Sequence, residues 1–219
     1  MTQERHPGEA FSYACQRCRQ CCSNKRIQIN PYETARLAER LGETTTTFRS
    51  RWTVEGQGVE LSQTPDGACV FLGPEGCTVH SDRPLVCRLY PLGRHMSPEG
   101  RVWYTDVDLK PPPGGVFGAA GTIDGYVDSQ GAGPFIVAAD AYFFWFSAAM
   151  RQLEAAVLPQ LAGSDETSVD DLLDLQTVVT QHCQLKGLAE PEDIEARREL
   201  HLEILYTRLN EMEEIDGEQ

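Results

Sequence analysis

Eight residues near the N-terminus, Cys15-Gln16-Arg17-Cys18-Arg19-Gln20-Cys21-Cys22, set four thiols in a C-x-x-C-x-x-C-C run, and three more follow at Cys69, Cys77 and Cys87. Thiolates are soft donors suited to zinc, iron and iron–sulfur centres. Two intervening residues let successive sulfurs converge on one ion, because the backbone between them folds into a tight turn whose N–H groups point at the thiolates. Cys21 and Cys22 follow a different rule. Side chains of adjacent residues diverge in any regular structure, so this pair points to a polynuclear site or to two ions. Seven thiols also exceed the four that one tetrahedral zinc or one four-iron cluster requires. An iron–sulfur cluster is therefore favoured over zinc. The pattern is not a zinc ribbon, which needs a second C-x-x-C, nor the ferredoxin run, which spaces its last cysteine by three residues and follows it with proline.

Cations stand beside these sulfurs: Arg17, Arg19, Lys25 and Arg26 around the first cluster and Arg88 next to Cys87. Nearby positive charge lowers thiol pKa and offsets the charge of a thiolate-rich site, although ordinary surface arginines give the same pattern. Cys77-x-x-His80 adds an imidazole at ligand spacing, and histidine has many other uses. The eighth thiol, Cys183, follows His182 far from the rest and reads as a buried free cysteine. Thioredoxin-like chemistry at Cys15/Cys18 is disfavoured, since no βαβ pattern surrounds the motif.

The elements that must hold these residues are short in the first half. Asn30-Pro31-Tyr32-Glu33 reads as a capping box with proline at the first helical position, and Gly42 closes a helix whose face is Ala35, Leu37, Ala38 and Leu41. Thr53 to Gln63 reads as two short strands about a glycine turn, and Arg101 to Leu109 alternates as a strand. The second half is helical in pattern, with helices expected from Phe135 to Leu161, from Ser168 as cap to Cys183, and from Pro191 to Ile215. Four consecutive aromatics, Phe143 to Phe146, point all round a helix and imply burial on most sides. The expected class is α+β. Residues 1–110 form a small cysteine-rich metal-binding domain with irregular loops and short strands. Residues 111–134 are a Pro/Gly-rich connection, and 135–219 an acidic helical extension packed on the first domain.

At 219 residues and 41% hydrophobic content, the chain can bury a core without disulfides. Its net charge of −14 disfavours a general nucleic-acid or anionic-membrane binder, because the phosphate term would be repulsive. The charge is uneven: 14 basic and 13 acidic residues up to Lys110, then 5 and 20. Most of that acidity reads as a solvated helical face, the alternative being a docking face for a cationic protein partner. The N-terminus shows no apolar signal segment, so a cytoplasmic address is expected, where clustered cysteines bind metal more often than they form disulfides. Phe135 to Met150 carries Asp140 and falls short of the roughly 20 residues that span a bilayer, so it reads as a buried helix. Gly114, Gly115, Gly118 and Gly121 follow a triple proline rather than a strand, which makes them a flexible connection rather than a nucleotide-binding turn.

CQRCRQCC, followed by CVFLGPEGCTVHSDRPLVCRLYPLG, resembles the YkgJ-type cysteine-cluster family, the CxxCxxCC zinc- or iron-chelating domain, over roughly Phe11 to Leu92. The resemblance implies that Cys15, Cys18, Cys21, Cys22, Cys69, Cys77 and Cys87 are the metal-binding set. It makes Arg83, Pro84, Arg88, Tyr90 and Pro91 motif positions, with Arg83, Arg88 and Tyr90 as cofactor contacts. Many members have glycine where Arg19 stands and an aromatic where His80 stands. A relative with the same cysteine pattern, the flagellin lysine N-methylase, uses an iron–sulfur cluster with S-adenosylmethionine. Three functions follow as expectations: a metal-binding protein holding an iron–sulfur cluster or zinc, a protein-lysine N-methyltransferase, and an adaptor with a structural zinc site.

Overall fold

The computed structural model describes residues 3–16, 18–107, 114–155 and 169–217. It is an α+β fold with small sheets and a helical C-terminal part. Strand β1 (Ala10–Ala14) leads into the cysteine run, whose end is a 3₁₀ turn at Gln20–Cys22. Helices α1 (Pro31–Leu41) and α2 (Thr45–Trp52) follow, then the hairpin of β2 (Leu72–Gly73) and β3 (Gly76–Cys77), and helix α3 (Leu85–Leu89). A second hairpin pairs β4 (Leu92–Met96) with β5 (Val102–Asp106). Then come β6 (Val116–Thr122), α4 (Ile123–Ser129), α5 (Gly133–Ala155), α6 (Val169–Leu172), α7 (Leu175–Lys186) and α8 (Ile194–Gly217).

Local chemistry explains α1 as expected. The Asn30 side chain accepts from the Glu33 N–H at 3.0 Å, the Glu33 carboxylate accepts from the Asn30 N–H at 3.0 Å, and Gly42 ends the helix at φ +68°. The sequence reading missed α2, which Thr44 caps by accepting from the Thr47 N–H. Thr53 to Gln63 does not form two strands. It holds a 3₁₀ turn at Val54–Gly56 and only isolated bridges, one within the segment (Thr53 to Leu61) and two to its neighbours (Glu60 to Gln28 and Gln63 to Cys69), because its pairing is shared between itself and flanking segments. The helix expected from Ser168 is two, α6 and α7, with Asp174 capping the second; Ser168 and Leu161 lie outside the described residues.

The glycine-rich stretch after the prolines corrects a second expectation. Far from being a loose connection, it becomes β6, antiparallel to β1 from Ala10–Thr122 to Ala14–Val116. The glycines serve close approach: a Cβ on Gly115 would sit 2.3 Å from the Tyr13 ring, and one on Gly118 would sit 2.7 Å from Ser12 Oγ.

Three apolar clusters hold these elements. The first joins Phe11, Tyr32, Leu85, Leu89 and Tyr104 to Phe135, Tyr142, Trp145 and Leu205, so both halves of the chain build it. A second lies under the cysteines, with Ile27, Leu37, Phe48, Phe71 and Val79, and Cys69, Cys77 and Cys87 pack against it. The third seats α7 on α1 and α8 through Ala35, Val179, Cys183 and Ile204. Helix α5 is long and apolar enough over Gly133–Gln152 to cross a membrane by length and composition. One face of it, Phe135, Ala138, Tyr142 and Trp145, lies in the first core, and Asp140 takes both guanidinium nitrogens of Arg94 at 2.6 and 2.8 Å. The aromatic run is not buried as a block. Trp145 is 5% exposed while Phe144 and Phe146 are 39% and 54% exposed, because α5 covers the core with one side only.

Candidate metal centre

Five different parts of the fold bring the seven clustered cysteines to one cavity of about 310 Å³. Cys15 and Cys18 follow the end of β1, and Cys21 and Cys22 lie in the 3₁₀ turn. Cys69 enters from the loop before β2, Cys77 from β3 and Cys87 from α3. Backbone pairing ties the two groups of the sequence together: the Cys69 N–H donates to the Cys22 carbonyl at 2.8 Å, and the Asn24 N–H to the Gly67 carbonyl at 2.7 Å. The turn that carries Cys21 and Cys22 starts from Arg19 at φ +65°, a left-handed conformation that glycine adopts at little cost. The adjacent sulfurs do not diverge as they would in a regular element; they stand 3.8 Å apart.

The electrostatics of the cavity are those of crowded thiols. Donation from the Cys22 thiol, followed by the positive charge of Lys25, pulls the Cys21 pKa down; the same bond and burial push Cys22 up. Burial, with other thiols close by, also pushes Cys87 up, and burial raises Cys69 and Cys77. Backbone N–H groups oppose this at two positions, Phe71 donating to Cys69 and Val79 to Cys77, and the Gly114 N–H donates to Cys18 Sγ at 3.3 Å. Lys25 lies over the Tyr90 ring with Nζ 4.1 Å from its centre, its own pKa lowered by burial. A bound cation reverses the logic of such a site, since coordinated thiols lose their protons outright. Soft donors, N–H groups on sulfur and a nearby ammonium together fit a thiolate-bound metal.

The three expected cofactor contacts line this cavity too, with different duties. Tyr90 is buried and lines the cavity, and its hydroxyl has no hydrogen-bond partner. Arg83 donates to the His80 carbonyl at 2.7 Å and to Gln130 Oε1 at 2.9 Å. Arg88 is 6% exposed and bound into the frame: it donates to the Gln130 carbonyl at 2.9 Å and to the Ser81 carbonyl, with its guanidinium carbon 3.8 Å from the centre of the Phe135 ring. Burial lowers its pKa to about 10. His80 is exposed on the cavity wall, a ring nitrogen 3.3 Å from Arg83 Nη1. Arg17 lies outside the described residues.

Cys183 is not in this cavity. It is buried in the third cluster, its thiol 3.9 Å from the Ala189 carbonyl. Two residues escaped the sequence reading as part of the site. Tyr13 lines it from β1, and Glu33, buried in α1, accepts from the Leu85 N–H at 2.6 Å and so anchors the helix that carries Cys87. Burial raises the Glu33 pKa to about 7. Nothing in the local pattern marks this second use of a capping glutamate.

Among the described residues, no three His, Cys, Asp or Glu side chains stand close enough to close on a single ion. The cavity is also far larger than the roughly 10–15 Å³ that one water needs. Residues 14–105, the segment that contains all seven cysteines, match the family model described as "Putative zinc- or iron-chelating domain", CxxCxxCC. The match spans less than half of the chain, and over it the segment resembles a CxxCxxCC domain. No curated protein and no solved structure matches the chain. The similarity supports metal binding by this segment, and β6 with helices α4 to α8 lies beyond it.

Proposed function

We propose that this protein holds a thiolate-bound metal centre in the cavity of its CxxCxxCC-like segment, with Cys15, Cys18, Cys21, Cys22, Cys69, Cys77 and Cys87 as the binding set. The observation that carries the reading is that all seven thiols, 72 positions apart at the extremes of the sequence, line one cavity. A polynuclear group, an iron–sulfur cluster ahead of zinc, suits it better than one ion. The thiol count is above four, the cavity is large, and among the described residues no three ligands converge on a point. Such a centre supplies electron transfer or Lewis acidity when bound. The protein's own part is to fix the sulfurs: Arg88 and Glu33 act as positioning residues for α3, while Arg83 and Tyr90 line the cavity that would hold the group.

Anaerobic purification followed by an optical spectrum and elemental analysis tests this directly. Brown colour with iron and acid-labile sulfide supports the cluster. A colourless chain with zinc overturns the cluster and keeps the metal site, and a chain with no metal overturns both.

A further inference from the structure

A second cavity, of about 520 Å³, shares a wall with the first: Lys25, Ile27, Val86 and Tyr90 line both. Its size falls within the roughly 300–1,000 Å³ of small-molecule sites. Three elements close it. Leu85 and Leu89 come from α3, Leu92 and Met96 from β4, and Ala139 and Phe143 from α5, so hydrocarbon makes up most of the wall. Among the described residues no cysteine lines it. The charged groups of the wall do not balance. Arg94 gives both guanidinium nitrogens to Asp140 at 2.6 and 2.8 Å, and Arg26 pairs with Glu60 at 2.6 Å. Lys25 is half-buried, and among the described residues no carboxylate lies within ion-pairing reach of it; its Nζ stands 4.1 Å from the centre of the Tyr90 ring. The cavity therefore offers one uncompensated positive charge beside an apolar surface. An ammonium held out of water without a carboxylate partner gains from an anion that reaches it.

We propose that this second cavity binds a free amphipathic monocarboxylate, its carboxylate on Lys25 and its hydrocarbon chain along α3, β4 and Phe143 of α5. One uncompensated cation matches a single negative charge, which suits a carboxylate better than a doubly charged phosphate ester. The apolar wall supplies the affinity for the chain. The charge of the whole molecule works the other way: at −14 the protein attracts cationic amphiphiles without any site, so a preference for the anion is a property of this cavity alone. The inference needs no metal in the first cavity.

Isothermal titration of the full-length protein at neutral pH, with decanoate, 1-decanol and decyltrimethylammonium each below its micelle concentration, tests this. Decanoate is expected to bind at least about tenfold more tightly than either of the others, as a charge-assisted contact requires. Two variants fill the cavity from elements that carry no thiol: Ala139→Trp on α5 and Met96→Trp on β4. Each is expected to weaken decanoate binding by about tenfold or more while melting as the wild type does. If Ala139→Trp fails to fold, Met96→Trp decides, since Met96 is only half-buried. Absence of decanoate binding overturns the site. Decanol binding as tightly overturns the carboxylate, and decyltrimethylammonium binding as tightly assigns the affinity to the acidic surface and overturns the proposal. Wild-type affinity in a folded cavity-filling variant overturns the location. Elemental analysis of the same protein reads the metal separately, so failure of one reading leaves the other standing.

Discussion

At the scale of single residues, several positions carry a cost that the fold tolerates for a purpose. The Tyr90 hydroxyl is buried without a partner, and such a group costs about 1–3 kcal/mol. Tyr90→Phe is therefore expected to stabilise the metal-free chain by about 1 kcal/mol and to leave the metal-loaded chain unchanged or weaker, as urea unfolding of both forms would read. Arg19 sits at φ +65° where glycine is at ease. Arg19→Gly should raise stability by about 0.5–1 kcal/mol, and equal midpoints in urea would show that the left-handed turn is not strained. His201 gives a pH signature. It is fully buried, Nε2 donates to the Leu172 carbonyl at 2.9 Å, and Nδ1 accepts from the Tyr142 hydroxyl at 2.8 Å, an arrangement only the neutral ring can make. Burial lowers its pKa from 6.5 to about 4, so the unfolded chain binds the proton more readily than the folded one. The stabilisation is complete above pH 6.5 and is lost as pH falls towards 4, on the order of 3 kcal/mol. His201→Gln keeps a donor and an acceptor, and unfolding free energies measured across that window should lose the slope.

Elements place the thiols through ties that run between them. Glu33 joins two helices with one carboxylate, capping α1 at the Asn30 N–H and holding the Leu85 N–H of α3, which carries Cys87. Glu33→Ala strips both buried N–H groups of their acceptor and should cost about 2–3 kcal/mol in denaturant unfolding. Asn30→Ala leaves the α3 tie in place and should cost about 1 kcal/mol. Equal losses for the two variants would show that the α3 tie contributes nothing. The acidic helices are similarly bound inward in part. Asp174 is buried, accepts from Thr46 Oγ1 at 2.7 Å and lies 3.6 Å from Arg49, while Glu195 accepts from the Tyr32 hydroxyl at 2.8 Å. Some of the acidity that reads in sequence as a solvated face thus fastens α7 and α8 to α1 and α2.

For the whole molecule, the division of the apolar core sets what metal removal does. The first and third clusters contain none of the seven cysteines of the cavity, whereas Cys69, Cys77 and Cys87 pack against the second. Chelation should therefore lower the melting temperature and loosen the region around Trp52, which belongs to the second cluster, while Trp145 in the first stays buried. Fluorescence of single-tryptophan variants reads the two regions separately. Equal exposure of both on chelation would show that the clusters melt as one unit.

The sequence by itself determined the chemistry and the local starts and stops. The C-x-x-C-x-x-C-C run and the three later cysteines supply the thiols that line the cavity, and the Asn30–Glu33 box with Gly42 defines α1. These are legible because spacing and capping act within a few residues. Tertiary structure alone decided that the glycine-rich stretch becomes β6, since only β1 supplies its hydrogen-bond partners and the Tyr13 ring its steric limit. It also decided that Phe144 and Phe146 face outward, because periodicity does not say how much of a helix its neighbours cover. The same holds for the thiols. Spacing places four of them together, but the meeting of Cys87 on α3 with Cys21, and the exposure that sets Cys15 and Cys18 apart, depend on contacts between segments distant in the chain.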